Sequence, residues 1–227
     1  MESVFTSWSG GKDCCFACYR ALKQGMDVRY LANMVSGGGR RSYSHGLSPQ
    51  IIIAQAEAIG IPLVQQRARR NSYEKKFKEM LCSFREEGVT GGIFGDIDLD
   101  EHRHWIERVC GDVAVIPHLP LWGKQQKEIM EEFIALGFEA IVVTAKAELF
   151  GREWLGHVLD REFIDHVDSL SRSKDVTPCG EAGEYHTLVV DGPIFKKRLD
   201  VIRSRRIQRD GRWFLSILEA VPVDKSG

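Results

Sequence analysis

The amino-acid sequence predicts an α/β protein: an open parallel sheet flanked by helices, with a smaller mixed α+β lobe after it. Three observations carry this. Short apolar runs alternate with helical stretches along residues 1–144, the pattern of βαβ units. Several of those runs end at glycines, and open sheets of this kind hold ligands beyond their strand ends. From about residue 145 the alternation stops and turn-rich patterns take over. The expected division is therefore 1–144 and 145–227.

The elements follow in order. Residues 3–8 (SVFTSW) read as a strand, 9–12 as a turn and 13–24 as a helix stopped by Gly25. Residues 28–34 are a second strand, followed by a loop at Gly37-Gly38-Gly39-Arg40-Arg41. Pro49 opens a helix that runs to residue 59, with Gly60 after it. Strands are expected at 63–64, 91–95, 113–116 (ended by Pro117) and 140–143, with helices at 72–87, 102–110 and 124–136 between them. Beyond these, 155–160 and 161–171 read as helical and 178–187 as a glycine-punctuated loop. Residues 188–190 are a strand, and 200–209 with 213–219 form a hairpin across Asp210-Gly211.

Composition narrows the function. The 227 residues are 43% hydrophobic and 28% charged, and a chain this long buries roughly 70% of its unfolded surface. Disorder is excluded. The 31 basic and 32 acidic residues nearly cancel, which argues against dedicated nucleic-acid binding. The cysteines stand at 14, 15, 18, 82, 110 and 179. Cys15 and Cys18 have metal-ligand spacing, but no second pair matches them, and buried thiols are expected. The opening residues MESVF carry no basic, apolar leader pattern. No apolar run approaches the ~20 residues of a membrane span. A reduced, cytoplasmic setting without membrane contact is the expectation.

The sharpest motif is Ser9-Gly10-Gly11-Lys12-Asp13-Cys14, between a strand and a helix. Two glycines permit a tight turn and close approach of a ligand. The helix start offers unpaired N–H groups and a positive dipole end, and Lys12 adds a charge. Asp13 is unfavourable beside bare phosphate unless Mg²⁺ lies between them, so Asp13 is the candidate metal ligand and Mg-ATP the expected cofactor. On spacing alone, an ordinary glycine-rich βα turn remains an equal reading. The spacing is not the Walker pattern.

This segment resembles the SGGKD[ST] loop of PP-loop, or N-type, ATP pyrophosphatases, which imply an adenine-nucleotide-hydrolase-like fold and cleavage of ATP between its α and β phosphates. Cys14 stands where that family usually has Ser. The resemblance extends over almost the whole chain to the diphthine–ammonia ligase family. It is carried by Ser9–Asp13, QAEAIGIPL at 55–63, ERVC at 107–110, PLWG at 120–123, WLG at 154–156, and residues 180–199. It implies adenylation of a carboxylate and its amidation by ammonia, with AMP and pyrophosphate released. In the named enzymes the carboxylate is that of diphthine on elongation factor 2. Ser9, Gly10, Gly11, Lys12, Asp13, Cys14, Met34, His45 and Gly95 are the implied nucleotide contacts. His45 is equally well a solvent-exposed loop residue, and Arg40-Arg41 suits either an anion or solvent.

The second loop, Gly180-Glu181-Ala182-Gly183-Glu184-Tyr185-His186, matches the family's GEGGE[FY]E except at Ala182 and His186. Glu181 and Glu184 suit binding ammonium, taking its proton or holding Mg²⁺. With Lys12 they are the catalytic candidates, and Asp96, Tyr185 and His186 are the substrate candidates. The bland alternative is a solvated acidic turn. Asp96-Ile97-Asp98-Leu99-Asp100-Glu101-His102-Arg103-His104 departs from the small, neutral residues usual in the ligases. In that segment Asp100 and Glu101 fit the first turn of a helix. These departures leave open a relative that amidates another carboxylate, as proposed for corrinoid salvage. An ATP-binding regulator and an RNA-thiolation enzyme using Cys14, Cys15 or Cys18 are the readings from other classes. Arg203, Arg205, Arg206 and Arg209 are expected on an exposed face, and the sequence leaves a homodimer open.

Overall fold

The computed structural model describes residues 1–39, 41–43, 45–174 and 176–225. A five-stranded parallel sheet forms from β1 (Ser3–Ser7), β2 (Asp27–Ser36), β3 (Leu63–Ala68), β4 (Gly91–Ile93) and β5 (Ile116–His118). Its spatial order is β3-β2-β1-β4-β5. The order reverses between β1 and β4, so the loops leaving these two strands diverge and open a crevice.

Helices connect the strands: α1 (Lys12–Lys23), α2 (Pro49–Ile59), α3 (Tyr73–Glu86) and α4 (Asp100–Asp112). Ser48 caps α2 by accepting from Gln50 N–H, and Gly60 closes it at φ 80°, a left-handed conformation that suits glycine. On one face of the sheet, Phe5, Met34, Phe77, Leu81, Phe84 and Phe94 form an aromatic-rich core with Ile106 and Val109. On the other, Phe16, Cys18, Ile52 and Ile59 join a larger core shared with the second sheet. That sharing explains why α1 is apolar on more than one side: Cys14, Cys15, Phe16, Ala17 and Cys18 are all buried.

The second sheet is antiparallel, in the order β7-β6-β9-β8. Its strands are β6 (Glu139–Lys146), β7 (Tyr185–Asp191), β8 (Arg198–Arg209) and β9 (Arg212–Val223), with α5 (Gln126–Ala135) and α6 (Arg161–Ser171) beside them. β6 corrects one expectation. The run 140–143 reads as a further strand of the parallel series, but it pairs antiparallel with β7 and β9. The sheets therefore divide between His118 and Glu139, ahead of residue 144. Apolar content alone carries no strand direction, so the run fits either sheet.

Two further corrections concern local structure. Residues 155–160 are not a helix; a single 3₁₀ turn covers Arg152–Trp154, and Val158 bridges to Ile141. The fifth strand lies at 116–118 with Pro117 inside it. Proline is tolerated there because β5 is an edge strand and needs no donor on its open side. The hairpin is present, and Ile202–Arg209 of the edge strand β8 are exposed, the four arginines among them.

Candidate active site

The crevice between β1 and β4 deepens into a cavity of about 210 Å³. Ser9, Lys12, Asp13 and Cys14 line it from the β1–α1 loop, and Met34 from β2. Gly95 and Asp96 follow β4, and His102 comes from α4. The second lobe contributes Cys179, Gly180, Glu181, Tyr185, His186 and Thr187. Both glycine-bearing loops thus meet at one place.

The first loop is pinned from outside. Gly10 sits at φ +86°, and a Cβ there would lie 2.7 Å from Ile52 Cδ1. A side chain at Gly11 would meet the His45 ring at 2.1 Å. Gln55, fully buried on α2, donates from Nε2 to the carbonyls of Gly10 (2.9 Å) and Val189 (2.7 Å) and accepts from Trp8 Nε1–H (2.9 Å). Lys12 N–H donates to Thr187 Oγ1 at 3.0 Å, and Val189 N–H to Gly10 O at 3.0 Å. The loop is therefore stitched to β7. Gly95 packs directly on the backbone of Asp13 and Cys14.

Charge is concentrated on this loop. Lys12, 3% exposed, reaches both carboxylate oxygens of Asp13 at 2.8 Å and the Cys179 carbonyl. Burial opposes its charge, but Asp13, with Cys179 and Tyr185, outweighs burial and keeps the ammonium protonated above the usual lysine range. Burial lifts the Asp13 carboxyl upward, and Lys12 pulls it partly back. Across the cavity, burial and then the neighbouring Asp13, Asp96 and Asp98 carry Glu181 up to about 7, although Lys12 lowers it. Asp96 Oδ1 pairs with His102 Nδ1 at 3.1 Å, which raises the histidine's pKa.

Two imidazoles complete the wall. His45 Nδ1–H donates to the Thr187 carbonyl at 2.9 Å, and its ring stacks on His186 with centroids 4.7 Å apart. Burial pulls His45 down to about 4 and His186 to about 2, so both are neutral at physiological pH. Tyr185 is buried behind them and donates from its hydroxyl to Pro178 O at 2.6 Å.

Glu184 stands apart. It is fully buried and does not line the cavity. Its Oε1 accepts from Thr177 N–H (2.6 Å) and Thr177 Oγ1–H (2.9 Å), and Oε2 has no partner among the described residues. The expected catalytic pair is therefore split, because Glu184 enters the turn that starts β7 while Glu181 sits half-buried on the cavity wall. Gly10 and Gly11 likewise shape the loop without lining the cavity. Asp98 accepts from Gln126 Nε2 at 2.6 Å, and Asp100 and Glu101 form the first turn of α4 as expected. Arg40 lies outside the described residues. Arg41 does not line this cavity.

Gln55 and Thr187 were not singled out from the sequence. Gln55 had a signal: a polar residue among Ile51, Ile52, Ala56 and Ile59 on an apolar helix face. Thr187 had none, since threonine is ordinary in a strand. The thiols are poor nucleophile candidates. Cys15 and Cys18 are wholly buried, and burial carries Cys18 up to about 12.

Comparison with known proteins bears on this cavity. The diphthamide synthase N-terminal domain matches residues 2–117, and the diphthamide synthase C-terminal domain matches residues 125–223. The chain belongs to the diphthamide synthase family. A rat diphthine–ammonia ligase (Rattus norvegicus) is 31% identical over 221 residues, 88% of this chain and 82% of the rat protein. The human diphthine–ammonia ligase is 29% identical over 218 residues, 86% and 81% of the two chains. Membership makes this chain an enzyme, an ATP-dependent ligase. A solved structure, the predicted subunit of tRNA methyltransferase from Methanocaldococcus jannaschii, aligns at TM-score 0.45 and 16% identity over 85% of this chain and 98% of that one. No helix among the described residues is long and apolar enough to cross a membrane.

Proposed function

We propose that this chain amidates the carboxylate of diphthine with ammonia, through an acyl-adenylate made from ATP. One juxtaposition supports the reading: a cationic loop at a helix start faces a carboxyl group that titrates near neutrality. The first lobe's loop suits the triphosphate, with Lys12 and the start of α1 offsetting its charge. A carboxylate oxygen attacks the α phosphorus, the bond to the bridging oxygen breaks, and pyrophosphate leaves. Ammonia then attacks the acyl carbon and AMP departs. Glu181, the base on the second loop, takes the proton that the nitrogen sheds. Glu184 positions that loop through Thr177.

The cavity's oxygen donors suit a hard cation. Mg²⁺ usually takes one or two carboxylates together with phosphate oxygens. Asp13, with Asp96 beside it, would hold Mg²⁺, which would neutralise charge developing on the departing pyrophosphate.

The test uses the purified protein with ATP, Mg²⁺, ammonium and elongation factor 2 carrying diphthine. The expected products are AMP and pyrophosphate, one of each per amide formed. ADP and phosphate as the products would overturn the mechanism. AMP formation with a corrinoid acid but not with the factor would keep the chemistry and replace the substrate.

A further inference from the structure

A second cavity, of about 390 Å³, lies on the far side of His45. The segment leading into α2 supplies one wall through Arg41, His45 and Ser48. β6 and β9 supply the other through Thr144, Phe214 and Ser216. His45 lines both cavities. Its ring stands where they meet, held by the Thr187 carbonyl, by stacking on His186 and by contact with Gly11.

Among the described residues, the Arg41 guanidinium is the one charged group that lines the second cavity, and no carboxylate does. Arg41 lies over the Phe214 ring at 5.9 Å and has no salt-bridge partner among the described residues. His45 is held neutral by burial and adds no competing charge. Ile207 and Leu218, 39% and 43% exposed, form an apolar rim. An apolar collar leading to a planar cation fits an aliphatic stem ending in a carboxylate, because guanidinium matches carboxylate bidentately. The nucleotide's anionic tail already has Lys12 in the other cavity.

We propose that this second cavity receives the acceptor substrate, an aliphatic carboxylate, with Arg41 as its anion ligand and Phe214 and the β8–β9 rim against its stem. The assignment rests on the carboxylate-amidating reading above and extends it to the place where the acid is held. The carboxylate approaches the phosphate loop from the His45 side.

The experiment compares wild type with Arg41→Ala, Arg41→Lys and Ser216→Trp, the last of which narrows the cavity while keeping the Arg41 guanidinium. Each protein is checked for its unfolding midpoint, titrated with a fluorescent ATP analogue, and assayed for AMP release with diphthine-bearing elongation factor 2. For Arg41→Ala and Ser216→Trp the KM for the factor is expected to rise at least about tenfold, with ATP affinity within about twofold of wild type. Arg41→Lys should regain part of the loss, since it keeps the charge and loses the planar fork. An unchanged KM in both Arg41→Ala and Ser216→Trp overturns the assignment. So does an equal loss of ATP affinity, which would place Arg41 on the nucleotide. A wild type that releases no AMP with the factor defeats the functional reading itself, a failure that the variants do not produce.

Discussion

The two glycine-bearing loops reach the same cavity by different means. The loop at Ser9–Asp13 is short and held from outside, by Gln55, Thr187 and the backbone of β7. Its charges face each other, Lys12 on Asp13. The loop at residues 180–186 is held from inside by one of its own glutamates, and from β9 by a single bond, Arg212 Nη2–H to the Gly183 carbonyl at 2.8 Å. Glu184 turns inward and clasps Thr177, while Glu181 turns to the cavity. Two identical side chains three residues apart therefore do opposite work. Position relative to the start of β7 decides between them, not residue type.

The sharpest break in that contrast comes at Lys12. Lys12→Ala leaves Asp13 without its partner in a largely buried setting. Removing one member of a buried pair costs about 3–5 kcal/mol. AMP release is expected to fall by about a thousandfold, and urea unfolding should show a clearly lower midpoint. Combining Lys12→Met with Asp13→Asn should return most of the stability and none of the activity. A double variant that stays as unstable as Lys12→Ala would show that Asp13 is not the source of the loss.

The next effect separates the two glutamates. Glu181→Gln is expected to lower AMP-linked amide formation about a hundredfold while leaving the fold intact. Burial holds Glu181 near 7, above its unfolded value. Its ionisation therefore opposes folding, increasingly as pH rises from about 4.5 to about 7. Glu181→Gln should then unfold at a higher temperature than wild type at pH 8, and at nearly the same temperature at pH 5. Glu184→Ala should do the reverse, losing about 1–3 kcal/mol from the abandoned Thr177 donors. Glu184→Gln, which keeps an acceptor oxygen, should recover much of it. Equal kinetic losses in Glu181→Gln and Glu184→Gln, with equal stability, would erase the distinction.

That distinction marks where sequence reading stopped. The parallel sheet, the helix at Pro49–Ile59 and the loop at Ser9–Asp13 were legible because their signals are local: periodicity, a proline start, glycines between a strand and a helix. The meeting of the two loops was legible only through the family resemblance. The direction of β6 was not, since a buried apolar run reads alike in either sheet. Gln55 and Thr187 act through contacts between the lobes, and spacing along the chain carries no trace of such contacts.

A pH effect on the shared wall is purely structural. His45 and His186 are depressed to about 4 and about 2 from an ordinary 6.5. The unfolded chain takes up protons that the folded chain refuses, so their contribution is complete above about pH 6.5 and is lost as pH falls below it. Wild type should lose stability progressively from pH 6.5 towards 4. His186→Gln should flatten that slope, as read from unfolding midpoints at each pH. An unchanged slope would mean that other groups drive the acid sensitivity.

The smallest effect concerns Cys14, where the phosphate loop departs from the serine usual in PP-loop enzymes. Ser9 Oγ–H donates to the Cys14 sulfur at 3.3 Å, and the Cys14 thiol donates to Gly11 O at 3.2 Å. Burial keeps that thiol protonated. The Ser9 proton is thus directed at a weak acceptor instead of at a ligand, and Cys14 offers only a weak donor. Cys14→Ser supplies a hydroxyl of better donor strength in a smaller volume, worth about 0.5–1 kcal/mol to a bound phosphate. Fluorescent ATP titration should show about two- to fivefold tighter binding, with the KM for the acceptor carboxylate unchanged. If ATP binding weakens instead, the thiol fills space that the hydroxyl leaves empty. The first loop would then depend on its own packing as the second depends on Glu184, and the contrast between loops held from outside and from inside would narrow to one of degree.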